Sequence, residues 1–188
     1  MSRYVIVTVG KTHSGKSTFA RALEERLKSS VVIDQDNHAE FIQRYYKAIL
    51  PQKGPNTLKY AITKAIVDYA VNETDVHLIM CNVNRHRRHR LKLLHGFHQN
   101  GFSSILVYFN IPDSVLEQRI ATSERSTNIF RSAASFLEVL RRQQAESVNH
   151  DVSPPTEEEA DYLFVIRNED DVQTVIDRIV GLVEASEG

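Results

Sequence analysis

Apolar positions along this chain fall in short unbroken runs that alternate with stretches of helical spacing. Tyr4-Val5-Ile6-Val7-Thr8-Val9 is β-branched and apolar throughout and predicts a buried strand over 3–9. Residues 15–28 contain no Pro, and no Gly after Gly15, and they predict a helix. Val31-Val32-Ile33 predicts a short second strand. Residues 37–50 predict a helix, with Phe41, Tyr45 and Ala48 or Ile49 at helical spacing, before the turn cluster Pro51-Gln52-Lys53-Gly54-Pro55-Asn56. Residues 57–71 predict another, with Leu58, Ala61, Ile62, Ala65, Ile66 and Tyr69 on one apolar face.

The second half repeats the alternation. Residues 76–81 predict a third strand and 85–99 a helix that stops at Asn100-Gly101. Residues 104–109 predict a fourth strand, and 112–123 a helix with Pro112 in its first turn. A polar, basic stretch over 124–131 precedes a helix over 132–147, a break at Ser153-Pro154-Pro155, a fifth strand over 162–166 and a closing helix over 170–185. Five apolar strands separated by helices predict an α/β fold of three layers, α/β/α, with a mostly parallel sheet. Ligands of such sheets bind beyond the carboxyl ends of the strands. The segments 10–17, 34–37, 81–84 and 110–113 are therefore expected to share one crevice.

The first of these segments changes the picture most. Gly10-Lys11-Thr12-His13-Ser14-Gly15-Lys16-Ser17 is a complete phosphate-binding loop, G-x-x-x-x-G-K-[ST], set between a predicted strand and a predicted helix. The glycines allow positive φ and close approach of backbone to an anion. The amides of residues 11–17, with Thr18 next in line, can then face phosphate at the positive end of the helix. Lys16 suits the β- and γ-phosphates, and the Ser17 hydroxyl suits Mg²⁺.

The second strand leads into Asp34-Gln35-Asp36-Asn37-His38. Asp36 is the better placed to accept a proton from an attacking hydroxyl, and Asp34 to sit in a metal shell or make a structural hydrogen bond. Asp36 or Asn37 equally suits a plain helix cap. After the third strand, Asn82 and Asn84 suit either a substrate hydrogen bond or a cap, and no acid stands there. Arg85 and Arg88 share a helical face with Lys92, which suits a solvated face or an anionic substrate. His86, His89 and His95 lie among these cations with no acidic or Cys partner near, which argues against a metal. Arg119, Arg125 and Arg131 suit either an ordinary basic loop or a lid that stabilises transferring phosphate.

Length and composition add bounds. The 188 residues fit one domain, taken as 1–188, with a lid over about 119–131 and acceptor-side helices over about 37–72. A 41% hydrophobic and 25% charged composition is that of an ordinary globular chain. The net charge of −1 gives no global case for a nucleic-acid or membrane partner. One cysteine, Cys81, allows no internal disulfide. No signal-peptide pattern and no membrane-length apolar run is present, so a cytoplasmic location is expected. Oligomeric state is not legible.

In this order, several residues give the whole chain a resemblance to small P-loop kinases of the polynucleotide 5′-kinase and zeta-toxin-like branch, AAA-type ATP-binding proteins. They are the loop Gly10 to Ser17, Asp36 at the branch's general-base position, Cys81-Asn82-Val83-Asn84 where it has D-x-T-N or D-T-N, and Arg119 and Arg125 at its adenine-side and lid arginines. Phe136 to Asp161, with Pro154-Pro155-Thr156-Glu157-Glu158-Glu159, is similar to its C-terminal F-x-x-P-x-x-E-E pattern. Ala39 stands where the branch has a substrate-binding Arg, and Cys81 or Asn82 where it has an acid.

The resemblance implies a P-loop NTPase fold with a small helical lid, ATP and Mg²⁺, and γ-phosphoryl transfer to an alcohol. The acceptor is expected to be a small molecule, a nucleoside or a nucleic-acid end. Lys16, Asp36, Arg125 and Arg131 are expected to act in transfer, and residues 10–18 and Arg119 to hold the nucleotide. Asp34, Asp36, Arg44, Asn82, Asn84, Arg85 and Arg88 are expected on the acceptor side, with Tyr45 and Tyr46 as further contacts. Mg²⁺ falls to Ser17, Asp34 and Asp36. Two rivals are a nucleotide-hydrolysing switch ATPase and an ATP-binding module with weakened catalysis. No Asn-Lys-x-Asp motif follows a later strand, and strand 3 does not end in Asp-Glu, which disfavours the first.

Overall fold

The computed structural model describes residues 2–130 and 132–187. Its centre is a sheet of five strands: β1 (Arg3–Val9), β2 (Ser30–Asp34), β3 (His77–Cys81), β4 (Phe102–Phe109) and β5 (Tyr162–Ile166). The order across the sheet is β2-β3-β1-β4-β5, and every pairing is parallel. Among the described residues seven α-helices connect or follow the strands: α1 (Lys16–Arg26), α2 (Gln35–Tyr45), α3 (Thr57–Glu73), α4 (Arg87–Gln99), α5 (Asp113–Ala121), α6 (Phe136–Glu146) and α7 (Asp170–Glu187). The fold is the three-layer α/β/α arrangement that the alternation predicts.

The period-two geometry of strands divides the core in two. Tyr4 and Ile6 of β1 pack with Phe19 and Leu23 of α1, Leu116 of α5, Leu140 of α6 and Ile176 and Ile179 of α7. Val5, Val7 and Val9 point the other way, to Ala70 of α3 and Leu94 and Phe97 of α4. The order of the sheet places β1 at its centre, with chain excursions to both sides. The loop after β1 therefore lies at the switch point, where the crevice of such a sheet opens.

Several boundaries differ from the sequence expectation, each for a local reason. The helix expected over 37–50 begins at Gln35, because Asp34 rather than Asp36 or Asn37 is its cap: the Asp34 side chain accepts from Asp36 N. It ends at Tyr45, and Lys47–Ile49 is a separate 3₁₀ turn. In α3 the inward residues are Thr63 and Ala70, with Val67 packed against the core. Ile66 and Tyr69 of the expected apolar face are exposed. The helix expected from 85 starts at Arg87, because Asn84 takes a positive φ of 44° and His86 pairs with Val152 in an antiparallel bridge. The helix expected over 132–147 runs only from Phe136 to Glu146, capped by Ser135. Of the expected lid segment, residues 119–121 end α5, and residues 122–130 hold no helix and lead from α5 towards α6.

Candidate active site

The phosphate loop is a tight, internally braced turn. Gly10 is needed for space: a Cβ there would lie 2.9 Å from Phe109 Cβ and 3.0 Å from Ser14 Oγ. Gly15 is needed for conformation, with φ of +98° at the cap of α1. His13 also has a positive φ, 58°, unusual for a residue with a side chain. Lys16 Nζ donates to Lys11 O at 2.5 Å and to Ser14 Oγ at 3.2 Å, so its ammonium lies inside the loop. Burial lowers its pKa to about 8, against the opposing pull of the Asp36 and Asp34 carboxylates.

Residues from four other segments meet this loop. Ser17 Oγ donates to Asp34 Oδ2 at 3.0 Å, tying the start of α1 to the end of β2. Asp34 is buried, 6% exposed, and its other oxygen caps α2. Asp36 lies in the first turn of α2, where Arg125 Nη2 donates to its Oδ2 at 3.0 Å. The Arg125 guanidinium also sits 5.1 Å from the centre of the Phe136 ring. Arg119 donates to His13 O and to Glu169, at 3.3 and 3.0 Å. Lys11 is paired with Asp113.

His13 joins the loop to the segment after α5. One ring nitrogen lies 3.0 Å from Thr12 Oγ1, the other 2.9 Å from Ser123 Oγ, and the ring packs edge-on against Phe136. Burial, then Arg125, Lys16 and Arg119, lower its pKa to about 4, which keeps it neutral near pH 7. A neutral ring can accept from one hydroxyl and donate to the other, as these two contacts require.

The expected site residues divide into two groups. The loop residues Thr12 to Thr18, Asp34, Asp36, Asn82, Asn84, Arg85, Arg119 and Arg125 all line one cavity of about 1210 Å³. Asn84 is committed to structure, since its side chain donates to Thr8 O at 3.0 Å. Arg85 is 8% exposed and donates to Gln143 O and Ser147 Oγ, so it braces α6. Gly10, Lys11, Arg44 and Arg88 do not line this cavity. Arg44 lies over the Tyr45 ring on the outside of α2, and Arg88 borders a separate hollow with Asp151. Arg131 lies outside the described residues.

Two further contributors escape sequence reasoning. Gln143 of α6 is buried, and its Oε1 accepts from Thr12 N at 2.8 Å, bracing the phosphate loop from 131 residues away. Arg90 is 1% exposed; its Nε and Nη2 donate to the two oxygens of Glu159, and its Nη1 to Asn84 O and Arg85 O. The pair thus fixes the backbone after β3. Gln143 carries no motif. Glu159 had a signal in the Pro-Thr-Glu-Glu-Glu run, whereas Arg90 was masked by the basic residues around it.

The donor set fits Mg²⁺ held jointly with phosphate. Ser17 and Asp34 offer oxygen ligands side by side, and Mg²⁺ characteristically takes one or two carboxylates, waters and substrate phosphates. Among the described residues no cluster of three or more His, Cys, Asp or Glu could hold a metal by itself. Cys81, at the end of β3, donates to Ser17 Oγ at 3.6 Å; burial first, then Asp34, push its thiol up to about 11, so it is neutral.

Solved structures share this fold over nearly their whole length. Kti12 of Chaetomium thermophilum, in complex with ADP-AlF3, is 16% identical with a TM-score of 0.59, over 93% of this chain and 96% of that one. Shikimate kinase of Bacteroides thetaiotaomicron is 14% identical with a TM-score of 0.56, over 96% and 98%. The APS kinase CysC of Mycobacterium tuberculosis, in complex with AMPPNP and APS, is 18% identical with a TM-score of 0.56, over 94% and 96%. No curated protein matches in sequence. Among the described residues no helix is long and apolar enough to cross a membrane. A family profile, in contrast, matches residues 5–158, a span that holds the phosphate loop, Asp34, Asp36, Arg119 and Arg125, and the chain belongs to that family, the AAA domain.

Proposed function

We propose that this chain is an ATP-dependent kinase that transfers the γ-phosphoryl group of ATP to an alcohol acceptor. One observation carries the reading. The phosphate loop, a carboxylate (Asp36) and a cation from the opposite wall (Arg125) meet in a single cavity of about 1210 Å³. One ligand pocket typically measures about 300–1,000 Å³, so this space suits a nucleotide and an acceptor together.

In this reading the acceptor oxygen attacks the γ-phosphorus as the bond to the β,γ-bridging oxygen breaks. ADP leaves with that electron pair, and the acceptor proton passes to the Asp36 carboxylate. Loop amides and Lys16 hold the β- and γ-phosphates, with Lys16 leaving the Lys11 carbonyl for the anion. Arg119 flanks the nucleotide, and Arg125 leaves Asp36 for the transferring group. Ser17 and Asp34 would hold Mg²⁺, which would neutralise phosphate charge. The segment around 119–131 serves as lid.

Asp36→Asn tests this assignment. It is expected to abolish transfer from γ-labelled ATP while leaving ATP binding within about twofold. Full turnover by the variant would remove Asp36 from the mechanism. The acceptor is sought in the same assay with nucleosides, oligonucleotide 5′-ends, sugars and amino-alcohols. A second reading, an ATP-binding module with weakened catalysis, draws on the neutral Cys81 thiol where kinases of the resembled branch have an acid. ATP binding without transfer to any acceptor in the panel would favour it.

A further inference from the structure

His13 stands where the phosphate-loop pattern accepts any residue, yet its φ of 58° is one that suits glycine. Backbone strain of this kind persists where surrounding contacts fix it, and it gathers at working sites. The contacts of His13 lead to both arginines of the cavity wall.

Its carbonyl oxygen accepts from Arg119 Nη1 at 3.3 Å. Its Nε2 lies 2.9 Å from Ser123 Oγ, and that same oxygen accepts from Arg125 N at 3.3 Å. Its ring meets Phe136 edge-on, with centres 4.6 Å apart, and the Arg125 guanidinium sits 5.1 Å from the centre of that Phe136 ring. Arg125 is thus reached from His13 by two routes, one at its backbone and one at its guanidinium. On the loop side Nδ1 lies 3.0 Å from Thr12 Oγ1, and Thr12 N donates to Gln143 Oε1 at 2.8 Å. The imidazole is therefore anchored at one end before it reaches Ser123 with the other.

A third hold on Arg125 is its ion pair with Asp36. That pair opens in the proposed reaction, where Asp36 takes the acceptor proton and Arg125 turns to the transferring group. Ser123 and Phe136 still keep Arg125 at the cavity once it has opened, and both are tied to the phosphate loop by His13.

We infer that His13 positions Arg125: by tying Ser123 and Phe136 to the phosphate loop, it sets where this arginine stands relative to bound phosphate. It is a positioning residue, because its ring acts through Ser123 and Phe136. The inference rests on the kinase reading for the step that Arg125 serves. The hold itself does not depend on turnover. A role confined to packing the loop would show in stability alone.

Two variants cut the link from opposite ends. His13→Gly keeps the loop amide and suits the positive φ, and Ser123→Ala leaves the loop untouched. Both are expected to lower kcat for phosphoryl transfer, His13→Gly by about tenfold or more, with KM for ATP changed by no more than about twofold. In an Arg125→Ala background neither is expected to lower kcat further, because the residue they act through is gone. Trypsin gives a readout without turnover. Cleavage of the full chain after Arg125, followed by mass spectrometry, is expected to quicken by about fivefold or more in both variants. Cleavage after Arg26 in α1, and the melting temperature, report any general unfolding. Cleavage after Arg125 that stays at the wild-type rate, or kcat losses that add in full to that of Arg125→Ala, would overturn the inference and leave the kinase reading standing. If wild type transfers phosphate to no acceptor, the kinase reading fails, and the rate of cleavage after Arg125 alone decides whether His13 holds it.

Discussion

The phosphate loop and the α2–α3 hairpin face one cavity but are built in opposite ways. Around the loop the hydrogen bonds are long-range and buried or part-buried: Thr12 to Gln143, Ser17 to Asp34, Arg119 to His13. The hairpin is held by Ile42, Thr63 and Ala70 on its inner side and by a His38–Thr63 contact, and its outer aromatics touch mainly one another. A triphosphate is a fixed anion, best met by amides that need no rearrangement.

The largest effect expected to separate the two regions is on stability. Glu159→Ala leaves Arg90 buried and unpaired, and breaking such a pair costs about 3–5 kcal/mol. Tyr69→Ala, at a side chain 65% exposed, should change stability by no more than about 0.5 kcal/mol. Urea unfolding of both variants measures the contrast. Similar losses in the two would show that the hairpin is as much a part of the cooperative core as the segment after β3.

Legibility in the sequence followed the same divide. The strands and the phosphate loop could be read because their signals are local: β-branched runs and an eight-residue motif. Asp34 and Asp36 could be read because strand ends of a parallel sheet point to one crevice. Gln143 could not, since its partner is 131 residues distant and a glutamine in a helix carries no period. The expected apolar face of α3 failed because alanine, isoleucine and tyrosine at helical spacing look the same whether they meet the sheet or the solvent. The division of Arg85 and Arg90 from Arg88 failed too. All three sit in one basic run, and only the turn at Asn84, with its positive φ, decides which of them point inward.

A smaller effect tests the bracing of the loop. Gln143→Leu removes the acceptor of Thr12 N and leaves a buried amide unsatisfied, a cost of about 1–3 kcal/mol. Because that amide belongs to the phosphate loop, the ATP dissociation constant should rise by about tenfold to a hundredfold. Tyr69→Ala, on an exposed side of the hairpin, should leave ATP affinity unchanged. Calorimetric ATP titration of both variants reads the two regions separately. Equal losses in both would mean that ATP affinity depends on the hairpin as much as on the loop.

The smallest expected effect, a few-fold near neutral pH, comes from Lys16. Burial lowers its pKa from the ordinary 10.5 to about 8 in the free chain. Phosphate favours the ammonium, so the bound pKa is higher, and binding takes up a proton once the free lysine begins to lose its own. ATP affinity is therefore flat below about pH 7 and falls as pH rises through 8, by at most about tenfold per unit. The stability of the free chain carries the opposite sign over the next interval. Between pH 8 and 10.5 the unfolded lysine keeps the proton that the folded one has lost, so this group's contribution to stability rises with pH. Titration calorimetry in two buffers of different ionisation enthalpy should show proton uptake on ATP binding that grows from pH 7 to 8.5, and Lys16→Met should remove it. Proton uptake that survives in Lys16→Met would place the titrating group elsewhere, and the loop's lysine would then be no more perturbed than a surface one.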